Sequence, residues 1–435
     1  MKLYSTKNKK NEVGFKDAIL KGTANDGGLF MPSTLPKLST DFIDNLGSIS
    51  FNEIAFTISK LLLNDEIPSD ELKNIIEDSL TFDAPLIGLD LNTYILELFH
   101  GPTLAFKDFG AKFMAKILSY FTKDINQEII ILVATSGDTG SAVAHGFYHT
   151  GGIKVVLLYP SNMVSFLQEK QLTTLNDNIT ALEVDGTFDD CQKLVKLAFL
   201  DENLNKSLIL SSANSINIAR LIPQSFYYFY AYSQLENKKH PVIFSVPSGN
   251  FGNLTAGLFA KEMGLPVKRF IAGTNINDVF PKYLDTGKFN PQPSVKTISN
   301  AMDVGNPSNF DRILDLYNHE YEVIKKNIYS ASFNDDQTKE AMKEIFKTYN
   351  YVIDPHGAIG YLAMKKYIEE QHDTNSNKVI LETAHPAKFI NIVEKTIGVK
   401  IEMPERLKAA LNKEKKSIRI CNDFNEFKNF LLTDL

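Results

Sequence analysis

The chain contains no tryptophan, two cysteines (Cys191 and Cys421) and, among its 46 basic residues, few arginines: Arg220, Arg269, Arg312, Arg406 and Arg419. Two distant cysteines exclude a disulfide scaffold, a zinc knuckle and a CxxC redox pair, and they fit a reducing, cytoplasmic setting. Excess positive charge is lacking too: the net charge is −6 and the pI about 5.8. That argues against a nucleic-acid-binding surface, though it leaves room for a locally positive pocket holding a small anion. No stretch approaches 18 apolar residues, so no membrane span is expected. The first residues, MKLYSTKNKKNEVGF, lack the apolar core of a secretory signal. There is no internal repeat and no low-complexity tract. Scarcity makes each well-placed arginine informative.

What is present is ordinary globular material. The 435 residues are 43% hydrophobic and 23% charged, enough for two or three domain-sized units with substantial cores. Residues 1–90 read as mixed and mostly helical, with turns at 25–28 and 31–36. From Thr93 onward, short Ile/Val/Leu-rich runs alternate with amphipathic stretches. Strands are expected near 94–98, 129–134, 155–159, 181–184, 208–210, 242–246, 270–272 and 379–382. Helices are expected near 108–121, 188–200, 217–235, 254–263 and 337–347. This alternation predicts an α/β protein with doubly wound, mostly parallel sheets. In such sheets ligands sit beyond the carboxyl ends of the strands. Residues 289–310 read as a long loop, 372–378 as a solvated turn, 408–419 as a charged surface helix, and 226–232 as aromatic core. His145, His149 and His356 have no metal-ligand spacing, so no metal is expected.

Three strand-to-helix junctions carry chemistry. Thr135–Ser141 (TSGDTGS) and Pro247–Asn253 (PSGNFGN) follow apolar runs and open helices. Glycines there let backbone N–H groups turn toward an anion, and the helix start adds positive potential. The plain alternative is a capped helix start. Neither loop matches the P-loop or GxGxxG spacing, which argues against a nicotinamide-dependent dehydrogenase. The third junction is His100–Gly110 (HGPTLAFKDFG). Lys107 lies there in apolar surroundings. A desolvated lysine has a lowered pKa and can form imines; the plain alternative is a snorkelling helix lysine.

With STK, GTANDGGLFMP, NSINIARLIPQ, DPHGAIG and TAHPAKF, these segments resemble, in order, the threonine synthases within the tryptophan-synthase-β-like group of pyridoxal-phosphate enzymes. The N-terminal run and TAHPAKF are similar to the shorter bacterial and fungal branch. The resemblance implies pyridoxal 5′-phosphate as cofactor and O-phospho-L-homoserine plus water as substrates, giving L-threonine and phosphate. It implies that Lys107 carries the cofactor as an internal aldimine, with Phe106 beside it. Ser248, Gly249, Asn250, Phe251, Gly252 and Asn253 would cradle the cofactor phosphate, and Thr383 would pair with the pyridine nitrogen. Asp138 would lie near the 3′-oxygen, its protonation state open. Ser136, Gly137 and Thr139 would bind the substrate carboxylate. Arg220, with Asn214, Ser215 and Lys112 as weaker candidates, would bind the substrate phosphate. His385 and Lys388 lie close enough in sequence to Thr383 to face the site. The implied architecture is an N-terminal wrapping segment (1–90), a smaller domain (91–225) and a larger one (226–435), with 91–106 possibly shared and a cleft between the domains. A monomer or homodimer is expected. The rival readings are a phospholyase releasing phosphate, 2-oxobutyrate and ammonia, another amino-acid dehydratase of the group, and a non-catalytic phosphometabolite-binding protein.

Overall fold

Continuous apolar runs become buried strands because helices cover both of their faces. The computed structural model describes residues 1–64 and 66–435. A six-stranded sheet runs in the order Ile328–Ser332, Val267–Thr274, Val242–Pro247, Asn377–Glu382, Thr93–Glu97, Leu86–Asp90. Its pairings are parallel except that of the edge strand Leu86–Asp90. A five-stranded, all-parallel sheet runs Ile418–Cys421, Ile179–Asp185, Ile153–Pro160, Ile129–Ala134, Ile209–Ser212. No helix among the described residues is long and apolar enough to cross a membrane.

Between the sheets runs the helix Ile218–Ser233, packed against the helices Lys107–Thr122, Gly252–Glu262 and Phe51–Leu63. Most of its aromatic run is interior: Phe226, Tyr227, Tyr228 and Phe229 have no measurable exposure, while Tyr230 is half-buried. Several helix starts are fixed by reciprocal capping boxes, among them Ser50 with Glu53, Ser165 with Gln168, and Asn334 with Gln337.

The structure differs from the sequence expectation in several places. The N-terminal segment contains a three-stranded antiparallel sheet, Asn8–Gly14, Lys2–Ser5 and Phe30–Pro32. These strands are short and partly polar, so their pairing leaves no clean two-residue period in the sequence. The expected division at 225/226 falls inside the helix Ile218–Ser233. The C-terminal strand Ile418–Cys421 joins the five-stranded sheet rather than the larger one, and Thr93–Glu97 lies in the six-stranded sheet. Where a chain end pairs is a tertiary choice that local pattern does not encode. Residues 408–419 are not one helix: the helix Glu405–Leu411 ends and a strand begins at Ile418. The turn at 372–378 is not merely solvated, since Asp373 is buried and accepts from Ser376 and from Lys268 at 2.6 Å.

Arg312 ties the N-terminal segment to the rest. It has no exposure, and it donates to the carbonyls of Phe30 (3.1 Å), Ser215 (3.2 Å) and Ile216 (2.6 Å) and to Asn309 Oδ1 (2.6 Å). Burial depresses its pKa to about 9, opposed by Asp311. Arg312→Met would leave four acceptors unpaired. A stability loss of about 3–5 kcal/mol is expected in urea unfolding.

Candidate active site

Lys107 stands at a junction welded by backbone bonds. Ala105 forms an antiparallel bridge with Ala384; Phe106 N–H donates to the Thr383 carbonyl (2.9 Å) and His385 N–H to that of Leu104 (3.0 Å). The strand Asn377–Glu382 therefore delivers Thr383 directly beside the start of the helix Lys107–Thr122. Phe106 is the residue before that helix and packs on the main core. Desolvation brings the Lys107 amine down to about 8; Asp138 pulls it up, while Lys388 and Arg220 push it further down. At pH 7 that leaves ~10% of the group neutral, a few hundred-fold more than in an ordinary lysine.

The loop after Ile129–Ala134 is shaped by Thr135, whose hydroxyl accepts from the amides of Gly137 (3.0 Å) and Gly140 (2.8 Å). Gly137 has φ +136°, a conformation L side chains rarely adopt, and a Cβ there would strike Gln168. The hydroxyls of Ser136 and Thr139 make no bond to the described residues and are not sealed in the interior. Asp138, next in the loop, bonds Lys388 Nζ (2.8 Å) and Gln168 Nε2 (3.1 Å). Desolvation alone would raise its pKa. Lys388 and Lys107 outweigh that and hold the carboxyl well below the usual range.

The loop after Val242–Pro247 forms an amide cradle. Phe251 takes a left-handed φ of 59°, and the helix Gly252–Glu262 begins after it. The amides of Asn250, Phe251, Gly252 and Asn253 find no acceptor among the described residues. Asn253 is held by the hydroxyls of Tyr227 (2.6 Å) and Tyr228 (2.7 Å), which leaves its Nδ2 buried without a partner. Asn250 is pinned by Ser215 (2.6 Å) and by Ser308 N–H (2.6 Å). Ser248 N–H donates to the Gly273 carbonyl (2.8 Å). Gly249 lies under the loop 299–303, where a Cβ would meet Ala301 O and Met302 Cα, each at 2.8 Å. Orphaned donors at a helix start, a lysine amine lowered to about 8 and a Thr383 hydroxyl with no partner among the described residues together fit a phosphorylated pyridoxal aldehyde.

Arg220 is 3% exposed. It donates to the carbonyls of Ala213 and Lys107, the latter at 3.4 Å. Of its five N–H donors, three, including Nε, have no acceptor among the described residues. Desolvation lowers it to about 10, against the pull of Asp108. Asn214 reaches the Ala134 carbonyl (3.3 Å), and its Oδ1 is buried without a partner. Lys112 is engaged elsewhere, bonding Thr81 (2.7 Å) over the Phe82 ring.

Sequence reasoning missed Gln168, which joins Asp138 to Asn300 (3.3 Å) across the two sheets' loops. It also missed a buried acidic group beneath Thr383. Glu382 accepts from Asp354 N–H (2.7 Å), and Asp354 accepts from His356 Nδ1 (2.5 Å). His356 Nε2 takes the Ala301 N–H (3.3 Å), which fixes the 299–303 loop. Desolvation and Asp354 raise Glu382 well above the usual range. DPHG was the visible signal for this group; nothing local marks Gln168.

Borohydride reduction of the chain loaded with pyridoxal phosphate, followed by peptide mapping, is expected to find the adduct on Lys107. Lys107→Ala is expected to abolish both adduct and colour. In the cofactor-free chain, acylation of Lys107 should rise with pH around 8 rather than above 10.

Comparison with known proteins agrees with this geometry. A family described as "Pyridoxal-phosphate dependent enzyme" matches residues 81–383, "Threonine synthase N terminus" matches 2–80, and "Threonine synthase, C-terminal" matches 357–431. The threonine synthase of Buchnera aphidicola subsp. Baizongia pistaciae is 44% identical over 99% of this chain and 100% of its own length. That of Escherichia coli K12 is 44% identical over 94% of each chain. The crystal structure of threonine synthase from Escherichia coli superposes with a TM-score of 0.93 at 42% identity, covering all of both chains. A structure of PLP-bound threonine synthase from Brucella melitensis gives 0.92 at 32% identity, covering 99% of this chain and 98% of that one. The chain belongs to the threonine synthase family of pyridoxal-phosphate-dependent enzymes.

Proposed function

We propose that the site converts O-phospho-L-homoserine and water to L-threonine and phosphate, with Arg220 as the principal anchor of the substrate phosphate. The observation that carries this assignment is the buried guanidinium with three N–H groups left over, adjoining the Lys107 backbone. A buried donor without an acceptor is costly, and a phosphate dianion is the ligand whose geometry a guanidinium fork matches.

Bound pyridoxal phosphate supplies an electron sink for charge developing at the substrate's α carbon. The remaining tasks fall to the chain. Lys107 Nζ would hold the cofactor and, when free, would move protons at the substrate's α and β carbons, a task suited to an amine that burial lowers to about 8. The amides of 250–253 hold the cofactor phosphate in place. The Thr383 hydroxyl pairs with the ring nitrogen; a neutral partner withdraws less charge from the ring than a carboxylate-held pyridinium would. Ser136, Gly137 and Thr139 grip the substrate carboxylate, which aligns the α C–H bond. Arg220 offers its spare N–H groups to the departing γ-phosphate. Closing the cleft keeps bulk water out until addition at the β carbon. The acidic pI and the two unpaired cysteines agree with a cytoplasmic setting.

The purified chain supplied with O-phosphohomoserine is expected to release phosphate and threonine in equal amounts. Phosphate with 2-oxobutyrate and no threonine would instead establish the phospholyase. Arg220→Met should lower kcat/KM by roughly 30- to 1,000-fold, as expected for loss of a buried charged contact. Cofactor binding should be retained, with Arg220→Lys intermediate because a single ammonium cannot replace the fork.

A further inference from the structure

Lys388 and Asp138 form an ion pair that solvent barely reaches: their side chains are 0% and 4% exposed, with Nζ 2.8 Å from Oδ1. Lys388 lies in the turn Pro386–Phe389, after the six-stranded sheet's strand Asn377–Glu382. Asp138 opens the helix that follows the five-stranded sheet's strand Ile129–Ala134. The pair thus spans the two sheets next to Lys107. Lys388 also donates to the Thr103 carbonyl (2.9 Å), and Asp138 Oδ1 also accepts from Gln168 (3.1 Å). Asp138 Oδ2 accepts from nothing among the described residues and is not sealed in the interior, so it is the oxygen left open to the site. Burying two opposite charges costs roughly as much desolvation as their attraction returns, so stability alone does not account for the pair.

The charges around it define what it does. Lys107 is faced by Asp138, Lys388 and Arg220. Asp138 is faced by Lys388, Lys107 and His356. Lys388 is faced by Asp138 and also acts on Asp108, His145 and His385. Asp138 is therefore the carboxylate on which two lysines converge. Left to Lys107 alone, it would favour the ammonium form of that amine more strongly, and an ammonium cannot attack an aldehyde.

We propose that Lys388 is a positioning residue that occupies Asp138 as its ion-pair partner, so that the amine of Lys107 stays free to form its imine while Asp138 Oδ2 remains an acceptor facing the bound cofactor. Lys388 acts through its bond to Asp138 and through its own charge beside Lys107, and touches no reacting atom. The proposal rests on Lys107 being the imine-forming residue, which borohydride trapping tests separately.

The test is the pH dependence of Lys107 acylation in the full-length, cofactor-free chain, read by peptide mass mapping. The companion readout is the pH dependence of the visible absorption of the chain loaded with pyridoxal phosphate. Lys388→Gln, which removes the charge and keeps a donor for Thr103, should move the Lys107 titration up by about one pH unit or more. At neutral pH that is about tenfold less free amine, with imine formation slowed in proportion. Asp138→Asn should move the titration the other way, since Lys388 then repels Lys107 without compensation. The double variant should return close to the parent, and Lys388→Arg should behave as the parent. A loss of structure alone would slow labelling without opposite displacements of the titration in the two single variants. The proposal is overturned if Lys388→Gln leaves the titration in place or if both single variants displace it in the same direction. If the adduct is absent from Lys107 in the parent, it is the functional reading that fails.

Discussion

An ammonium group is poorly accommodated in a half-buried junction with little water around it, and the junction carrying Lys107 is not free to move away. The antiparallel bridge from Ala105 to Ala384, with the flanking bonds from Phe106 to Thr383 and from His385 to Leu104, locks the helix start against the end of a central strand. Desolvation there releases the proton, and the charges nearby only adjust how readily. Because the same bridge sets the position of Thr383, the lysine and the ring-nitrogen partner assigned here are held by one piece of backbone.

The rest of the site surrounds that junction with unsatisfied donors. Each of the two glycine-rich loops leaves polar groups without protein partners: hydroxyls at Ser136 and Thr139, and amides at Asn250–Asn253. Donors at a helix start are ordinarily paired, so the unpartnered amides at 250–253 indicate where a ligand's oxygens belong. The scaffold that orients them is held by hydrogen bonds of its own. Tyr227 and Tyr228 hold Asn253, Thr135 holds Gly137 and Gly140, and the Glu382–Asp354–His356 chain reaches the loop over Gly249. Rigid support under an unsatisfied surface is what pre-organisation requires.

The two buried arginines show why identity alone does not reveal a role. Arg312 spends its donors on three carbonyls and an amide oxygen, and so acts as a structural clasp. Arg220 spends only two and keeps the others available. Gly110 allows Arg220 its close approach: a Cβ there would lie 2.8 Å from both Arg220 Nε and Arg220 O, on the helix that begins with Lys107.

By itself the amino-acid sequence determined the α/β alternation, most of the interior strands and helices, and the loops in which Lys107, Ser136 and Ser248 lie. Those features follow from local periodicity and from glycine and hydroxyl residues at strand ends, which a linear reading captures. The family's segments, in order, carried the rest of that reading. Only the tertiary structure decided that Ile418–Cys421 crosses to the five-stranded sheet, that Lys112 turns to Thr81, and that Lys388 is interior and paired with Asp138. Nor could a linear reading place Gln168, thirty positions from Asp138, between the two sheets' loops. Contacts of this kind join elements distant in sequence, and whether a lysine is solvated or sealed depends on what folds over it, which no window of neighbouring residues contains.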